Sequence, residues 1–454
     1  MPKPTDIRIR DVRFDTEDHR YRSPIKFGGV ALDRVTLLNA HITVETRAGT
    51  VAHGFGSMPL GNVWAYPSKA MGYQQTLDAM TAVTAVVAKA YGGFPETGHP
   101  IDLTWELEHG FPALTKAVGD RLNVETPIPL LATLVCASPF DAALHDAFGK
   151  AHGLNCYSTY GSEFMSHDLG YYLGAEFAGE QLSSYVSTKA QPRMPMYHLV
   201  GALDPLTAAD VTKPVGDGLP ETLAEWIPFN GLTHLKIKLN GEDLDWDVNR
   251  VLGVDRVAVE RQARRGVTSW FYSLDFNEKC GNVGYLLEFL RRVKDQAPAG
   301  FDRIQYIEQP TKRDLKADRA NTMHEAAKLR PVVIDESLLD LESLRLAKEM
   351  GYTGAALKAC KGQTQSLLMA AAARKDNMFL CVQDLTCVGA SLLHSAGLAA
   401  HIPGIVAIES NGRQYCPAAN APWTPTFPGM FQITDGTMET GLLDDAGLGC
   451  GLSG

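Results

Sequence analysis

Seven charged residues stand at the ends of short apolar runs in the second half of the chain. Lys236 and Lys238 lie in THLKIKLN (233–240), Asp275 in SWFYSLDFN (269–277) and Glu308 in RIQYIEQP (303–310). Asp335 and Glu336 close PVVIDES (331–337), and Lys358 closes TGAALKA (353–359). Asp275, Glu308 and Asp335 are 33 and then 27 residues apart, one strand-plus-helix unit each time. Carboxylates at the ends of successive barrel strands converge on one rim. Three of them cannot all stay ionised without a counter-charge, and oxygen-only ligation favours Mg2+ over zinc. The competing reading is that each carboxylate caps the helix after its strand; three in series favour the metal. In THLKIKLN, Leu235, Ile237 and Leu239 share one face, and His234, Lys236, Lys238 and Asn240 share the other. An apolar face turned to the helices directs both lysines into a barrel mouth. A lysine buried near another cation and a metal loses its proton more readily and serves as a base near neutral pH. Such a site suits removal of the proton α to a carboxylate, with Lys236 and Lys238 on one side and Lys358 on the other.

These residues need a scaffold that gathers strand ends. After about Gln191, short strands alternate with amphipathic helices, and three further strands are MYHLVGA (196–202), MFLCVQD (378–384) and GIVAIES (404–410). Helical spacing appears over Asp247 to Arg264, Val283 to Asp295, Leu341 to Met350, Thr364 to Lys375 and Ala390 to His401. This alternation predicts an α/β fold, a modified TIM-type (β/α)7–8 barrel, with its active site at the C-terminal strand ends. The preceding region reads as an α+β capping domain. It has a hairpin turning at Arg47-Ala48-Gly49, loops over Arg22 to Val30 and Ser57 to Ser68, and helices over Thr76 to Tyr91 and Leu131 to Ala151. The expected division is a cap over 1–190, a barrel over 191–414, and a Gly- and Pro-rich segment, 415–454, returning to the cap.

Composition limits the alternatives. Hydrophobic residues make up 45% and charged residues 21% of the 454, enough for a large core and unlike a disordered chain. Lys plus Arg number 42 against 52 Asp plus Glu, a net charge of −10 that argues against gripping a nucleic-acid backbone. The eight cysteines include no CxxC and no regular spacing, so they read as free thiols in a reducing compartment. The first residues lack an apolar signal region, and no run approaches the ~18 apolar residues of a membrane span. A cytoplasmic protein is expected. Asp275-Phe-Asn277 begins like a calcium loop, but Cys280 stands where that loop needs glycine. Gly447-Leu-Gly449-Cys-Gly451 follows no strand, so it is no dinucleotide fingerprint.

The set Lys236-Ile-Lys238, Asp275-Phe-Asn277, Glu308-Gln309-Pro310, Asp335-Glu336-Ser337 and Leu357-Lys358 resembles the enolase superfamily. Within its mandelate racemase/muconate-lactonizing enzyme family, it resembles the branch of muconate-lactonizing enzymes, dipeptide epimerases and N-acylamino-acid racemases. The run from Asp141 through His145 and Asp146 to Ala151 resembles the family's helix before the barrel, and Gly447-Leu448-Gly449 its closing turn. The resemblance implies Asp275, Glu308 and Asp335 as ligands of one Mg2+ per subunit, with Mn2+ able to substitute. It implies Lys238 and Lys358 as an opposed acid/base pair, Lys236 as a residue tuning the charge, and Asn277 and Glu336 as supports behind the ligands. The loops Arg22 to Gly29 and Ser57 to Tyr66 resemble the family's specificity loops and offer Lys26, Phe27, Asn62, Trp64 and Tyr66 to a substrate. Gln383, Asp384, Glu409 and Asn411, at the last two strand ends, complete that set.

Departures bear on the substrate. The seventh strand ends without a histidine, so the His–Asp base of mandelate-racemase-like sites is missing; His394 and His401 fall on the next helix and read as structural. Glu409 keeps one acid where dipeptide epimerases often carry an acidic pair. The stretch from Cys156 to Gln191 is longer than the family's usual crossing into the barrel. The leading expectation is racemisation or epimerisation of a small carboxylic acid through an enediolate. Elimination from a hydroxy or sugar acid, by a dehydratase or cycloisomerase, is the alternative. A silent barrel scaffold is the third, against which the convergence of charge argues. The expected partner is a small carboxylate substrate bound by a homo-oligomer, with neither nucleic acid nor membrane.

Overall fold

The computed structural model describes residues 2–27 and 30–451, with only the backbone of Phe27. Three antiparallel strands open the chain in the order β1 (Ile7–Phe27), β2 (Val30–Thr46) and β3 (Val51–Pro59). The turn between β2 and β3 falls where Arg47-Ala48-Gly49 predicts it, with Gly49 at φ +86. Arg22 to Val30, expected as a loop, is mostly strand: Ile25, Lys26 and Phe27 pair with Leu32, Ala31 and Val30. A register shift between Arg20 and Ile25 accommodates Ser23-Pro24 on the edge strand. Proline is tolerated at such a bulge, and the bulge hides the period-2 pattern in the sequence. The expected loop Ser57 to Ser68 likewise carries the end of β3 and one helical turn, α1 (Asn62–Ala65).

Four longer helices follow, α2 (Tyr73–Gly92), α3 (Pro100–Glu108), α4 (Phe111–Leu122) and α5 (Leu130–His152). Every residue of α5 from Leu131 to Gly149 is buried, because the sheet covers one side and the barrel the other. Pro139 sits inside α5 and leaves the Val135 carbonyl without its helical donor; the Ser138 hydroxyl donates to it at 3.0 Å. The sheet reaches α5 through Gly54 and Gly56, where an added Cβ would collide with the carbonyls of Ala143 and Pro139.

The barrel closes. Strands β4 (Met194–Val200), β5 (His234–Lys238), β6 (Phe271–Asp275), β7 (Ile304–Glu308), β8 (Val332–Ile334), β9 (Gly354–Leu357), β10 (Phe379–Val382) and β11 (Ile408–Glu409) pair in parallel, and β11 pairs back with β4. A last short strand, β12 (Thr437–Met438), runs antiparallel beside β4. All eight expected strands are present, the last as only two residues. Leu235, Ile237, Leu274 and Ile307 point outward into the helix layer, while Tyr197, Tyr306, Val333, Ala356, Cys381 and Ala407 fill the interior. After α6 (Leu169–Leu173), the outer layer comprises α7 (Leu223–Asn230), α8 (Leu244–Arg265), α9 (Val283–Gln296), α10 (Pro298–Asp302), α11 (His324–Ala327), α12 (Leu341–Glu349), α13 (Gln363–Lys375) and α14 (Ala390–His401). Among the described residues no helix is long and apolar enough to cross a membrane.

Two buried carboxylates fasten the first part of the chain to the rest. Asp141 on α5 accepts from the backbone N–H of Thr364 at 2.7 Å and from the hydroxyls of Thr364 and Thr104. It therefore caps α13, the barrel helix that starts just after Lys358. Asp146 accepts from the N–H groups of Phe55 and Leu448, both at 2.9 Å, so one side chain ties sheet, helix and tail. Gly447, at φ +82, has no room for a Cβ against Asp146. Within the long stretch after Cys156, Glu180 and Glu176 pair with Lys375 and Arg345 on the outer barrel helices.

Gly56→Ala forces sheet and helix apart and should cost about 3 kcal/mol through overpacking, read as a melting temperature lowered by several degrees. An unchanged melting temperature would contradict the close approach at Pro139.

Candidate active site

Strand ends deliver a dense charge cluster to the barrel mouth. Lys236 and Lys238 enter from β5, Asp275 from β6, Glu308 from β7, and Asp335 from just after β8. Lys358 follows β9, and Glu409 ends β11. Lys236 Nζ lies 2.9 Å from Glu308 Oε2, 3.0 Å from Glu409 Oε2 and 3.1 Å from Asp275 Oδ2. Lys238 pairs with the same Asp275 oxygen and donates to Asn277 Oδ1 at 3.1 Å. Across the mouth, Lys358 Nζ lies 2.8 Å from Asp335 Oδ2. β5 and β9 stand four strands apart in a ring of eight, so Lys238 and Lys358 occupy opposite walls.

Burial opposes ionisation of Asp275, yet Lys238 and Lys236 hold its carboxyl well below the usual range. Asp335 is similarly held at about 2: burial raises it, but Lys358 and Lys361 outweigh burial. Glu308 moves the other way, pushed well above its usual value by burial and by the negative charge of Asp275. Burial alone would lower Lys236 and Lys358, as the sequence suggested. Glu308 and Glu409 outweigh it at Lys236, and Asp335 outweighs it at Lys358, so both ammonium forms are favoured.

Lys361 escaped the sequence reading. It lies beyond β9 in the 3-10 turn Ala359–Lys361, which swings it back over the rim. Its Nζ donates to the Asp335 backbone carbonyl at 2.6 Å and lies 3.3 Å from Asp335 Oδ1. Its spacing of three residues from Lys358 was the available signal.

Among the residues expected at the substrate, several join the cluster. Gln383 donates to Glu308 Oε2, and Asn411 donates to Glu409 Oε1 at 2.7 Å. The Trp64 ring lies 4.3 Å from Lys358 Nζ, and its indole N–H donates to Glu336 Oε1 at 3.0 Å. Other side chains are engaged elsewhere. Asn62 donates to the Tyr73 carbonyl and the Thr76 hydroxyl, and the Tyr66 hydroxyl donates to the Thr126 carbonyl. Asp384 accepts from the backbone N–H groups of Thr386, Cys387 and Asn411, shaping the loop after β10. Lys26 is half-buried in the β1–β2 hairpin, and the Phe27 side chain lies outside the described residues. A cavity of about 500 Å³ lies where Trp64, Tyr66 and Met71 face Asn277, Arg313 and Glu336.

Among the described residues, no three His, Cys, Asp or Glu side chains are gathered in ligating geometry, and the carboxylates are turned onto lysines instead. The donor chemistry nonetheless fits a hard divalent cation. Asp275, Glu308 and Asp335 are all-oxygen donors, each 1% exposed, and both Asp275 and Asp335 make ionisation of Glu308 costly.

Closed barrel, antiparallel cap and charged strand ends together define an enolase-like α/β architecture. Residues 219–453, more than half of the chain, match the family described as enolase C-terminal domain-like. The chain belongs to that family, on its mandelate racemase/muconate-lactonizing branch. No curated protein sequence matches the chain. Among solved structures, a mandelate racemase/muconate lactonizing protein from Herpetosiphon aurantiacus is similar over 100% of both chains, with 18% identity and TM-score 0.63. A dipeptide epimerase from Enterococcus faecalis, complexed with Mg and the dipeptide L-Leu-L-Tyr, shares 16% identity. The likeness covers 97% of this chain and 99% of that one, with TM-score 0.61. A muconate lactonizing enzyme from Pseudomonas fluorescens, complexed with muconolactone, shares 18% identity at TM-score 0.60 over 98% and 97%. At these identities the likeness establishes the fold.

Lys236→Met removes one partner of a buried network and should cost about 3–5 kcal/mol at pH 7. The deficit should narrow as pH falls, because Glu308, already raised in the folded state and no longer countered by Lys236, takes up a proton there and stabilises the fold. Thermal melts from pH 5 to 8 check this; a deficit that widens toward acid would contradict the charge balance.

Proposed function

We propose that this protein removes the proton α to a carboxylate in a small acid, using Lys238 and Lys358 from opposite faces. The observation that carries this reading is the placement of those two lysines on opposed strands of one ring, with buried carboxylates between them. Asp275, Glu308 and Asp335 would hold one Mg2+, with Asn277 and Glu336 supporting them from behind. Bound there, the cation would supply positive charge against the substrate carboxylate and the second negative charge that develops as the proton leaves.

The chain's own residues do the rest. One lysine, deprotonated once its aspartate pairing is broken, takes the α-proton on Nζ, and the ammonium of the other returns a proton to the opposite face of the enediolate. Lys236 stays charged between Glu308, Glu409 and Asp275 and offsets their repulsion. Trp64 walls one side of Lys358 and keeps water from it. In this reading residues 1–190 and 415–454 act as one cap over the barrel of 191–414. Because both faces carry a lysine, racemisation or epimerisation is the favoured outcome over elimination.

Incubation in D2O with Mg2+ and a panel of acids, N-acylamino acids and dipeptides among them, followed by NMR, tests the reaction. The expected result is α-deuterium incorporation with inversion, abolished by chelator and restored by Mg2+ or Mn2+. Loss of water would point to elimination, and silence across the panel to a scaffold. Independently, Mg2+ should raise the melting temperature of the wild-type protein. Asp275→Asn, Glu308→Gln and Asp335→Asn should each abolish that shift, and a persistent shift in all three would refute the ligand assignment.

A further inference from the structure

The tryptophan beside Lys358 sits on a very short support. Helix α1 has four residues and begins at Gly61 in the left-handed conformation, with φ +50. A single turn of that length does not hold itself in water. Something outside it must fix Trp64.

The loop after β7 does so. Arg313 Nη1 and Nη2 both donate to the Trp64 backbone carbonyl at 3.2 Å. The same guanidinium is forked onto Glu278, with Nε donating to Oε2 at 2.8 Å and Nη2 to Oε1. The Arg313 backbone N–H also donates to Glu278 Oε2 at 2.8 Å. A bidentate Arg–carboxylate pair fixes direction as well as distance.

The rim beneath is itself constrained. Asn277 and Glu278 hold φ of +46 and +65, and Gln309 holds +29, conformations unfavourable for residues with a Cβ. Glu278 N–H donates to the Gln309 carbonyl at 3.0 Å, and Gln309 Oε1 accepts from the Asp335 N–H at 3.0 Å. The loops after β6, β7 and β8 are therefore stitched together under Arg313. Trp64 is gripped at both ends, its carbonyl by Arg313 and its indole by Glu336, with the ring face toward Lys358 and Lys361.

We infer that Arg313, braced by Glu278, is a positioning residue that latches the α1 turn to the barrel rim and so sets Trp64 against Lys358. The inference rests on the reading of Lys358 as an acid/base group for its functional meaning, but its structural content can be tested apart. Arg313 touches no reacting atom; it acts through Trp64.

Amide hydrogen exchange followed by mass spectrometry on the full chain tests the latch. In Arg313→Gln, peptides covering 60–73 should exchange at least about tenfold faster, since a charge-assisted bond to the Trp64 carbonyl is lost. Peptides from β5, β7 and β9 should exchange as in the wild type. Acrylamide quenching assigned to Trp64, by difference from Trp64→Phe in each background, should rise in parallel. Glu278→Gln should act in the same direction, and the double variant should add little, as for residues acting as one unit. Unchanged exchange over 60–73 in a folded Arg313→Gln protein would overturn the latch, and so would faster exchange spread evenly through the barrel. Should Arg313→Gln fail to fold, Glu278→Gln decides alone by the same criteria. If Lys358 proves dispensable for proton transfer, the exchange result stands unaffected, so the two failures are distinguishable.

Discussion

Charge balance at the barrel mouth is the constraint on which the site depends. Four ammonium groups, Lys236, Lys238, Lys358 and Lys361, face four carboxylates, Asp275, Glu308, Asp335 and Glu409, and each residue is under 5% exposed. Uncompensated charge at such depth would cost several kcal/mol per group, so neither set can be assembled without the other. The arrangement is also directional. Lys236 takes three carboxylates at once, whereas Lys238 and Lys358 each lean on one aspartate from opposite walls. The central lysine neutralises, and the two lateral lysines stand on opposite walls.

The rest of the fold serves that geometry. A closed ring of parallel strands gives every strand end the same height, which is why residues far apart in sequence meet within 3 Å or so. Asp141 reaches from α5 to cap α13, and α13 begins directly after the turn that carries Lys358 and Lys361. A carboxylate in the first part of the chain thus helps fix the position of two lysines in the barrel. The glycines at 54 and 56 let the sheet approach the other side of α5 closely.

Much of this was legible in the sequence because it is periodic. Parity in THLKIKLN assigned Lys236 and Lys238 to the interior, and the regular recurrence of strand-end acids announced the rim. What escaped is aperiodic. The end of β1 from Arg22 reads as a loop because Ser23-Pro24 occupies a bulge that interrupts alternation. Lys361 lies past its strand in a short turn, and Arg313 and Glu278 lie in loops, where spacing carries no directional signal. Resemblance of Ser57 to Tyr66 to a specificity loop offered Asn62 and Tyr66 to the substrate. Tertiary packing sends their hydrogen bonds to Tyr73, Thr76 and Thr126 rather than toward the lysines.

The account turns on the claim that two lysines work on opposite faces of one carbon. Its most direct test follows deuterium wash-in separately for each antipode of an acid the protein turns over, comparing Lys238→Ala with Lys358→Ala. The account predicts that each variant still exchanges one antipode, that the surviving antipodes differ between the two variants, and that neither variant interconverts them. Wash-in to the same antipode in both variants, or interconversion at the wild-type rate in either, would contradict it.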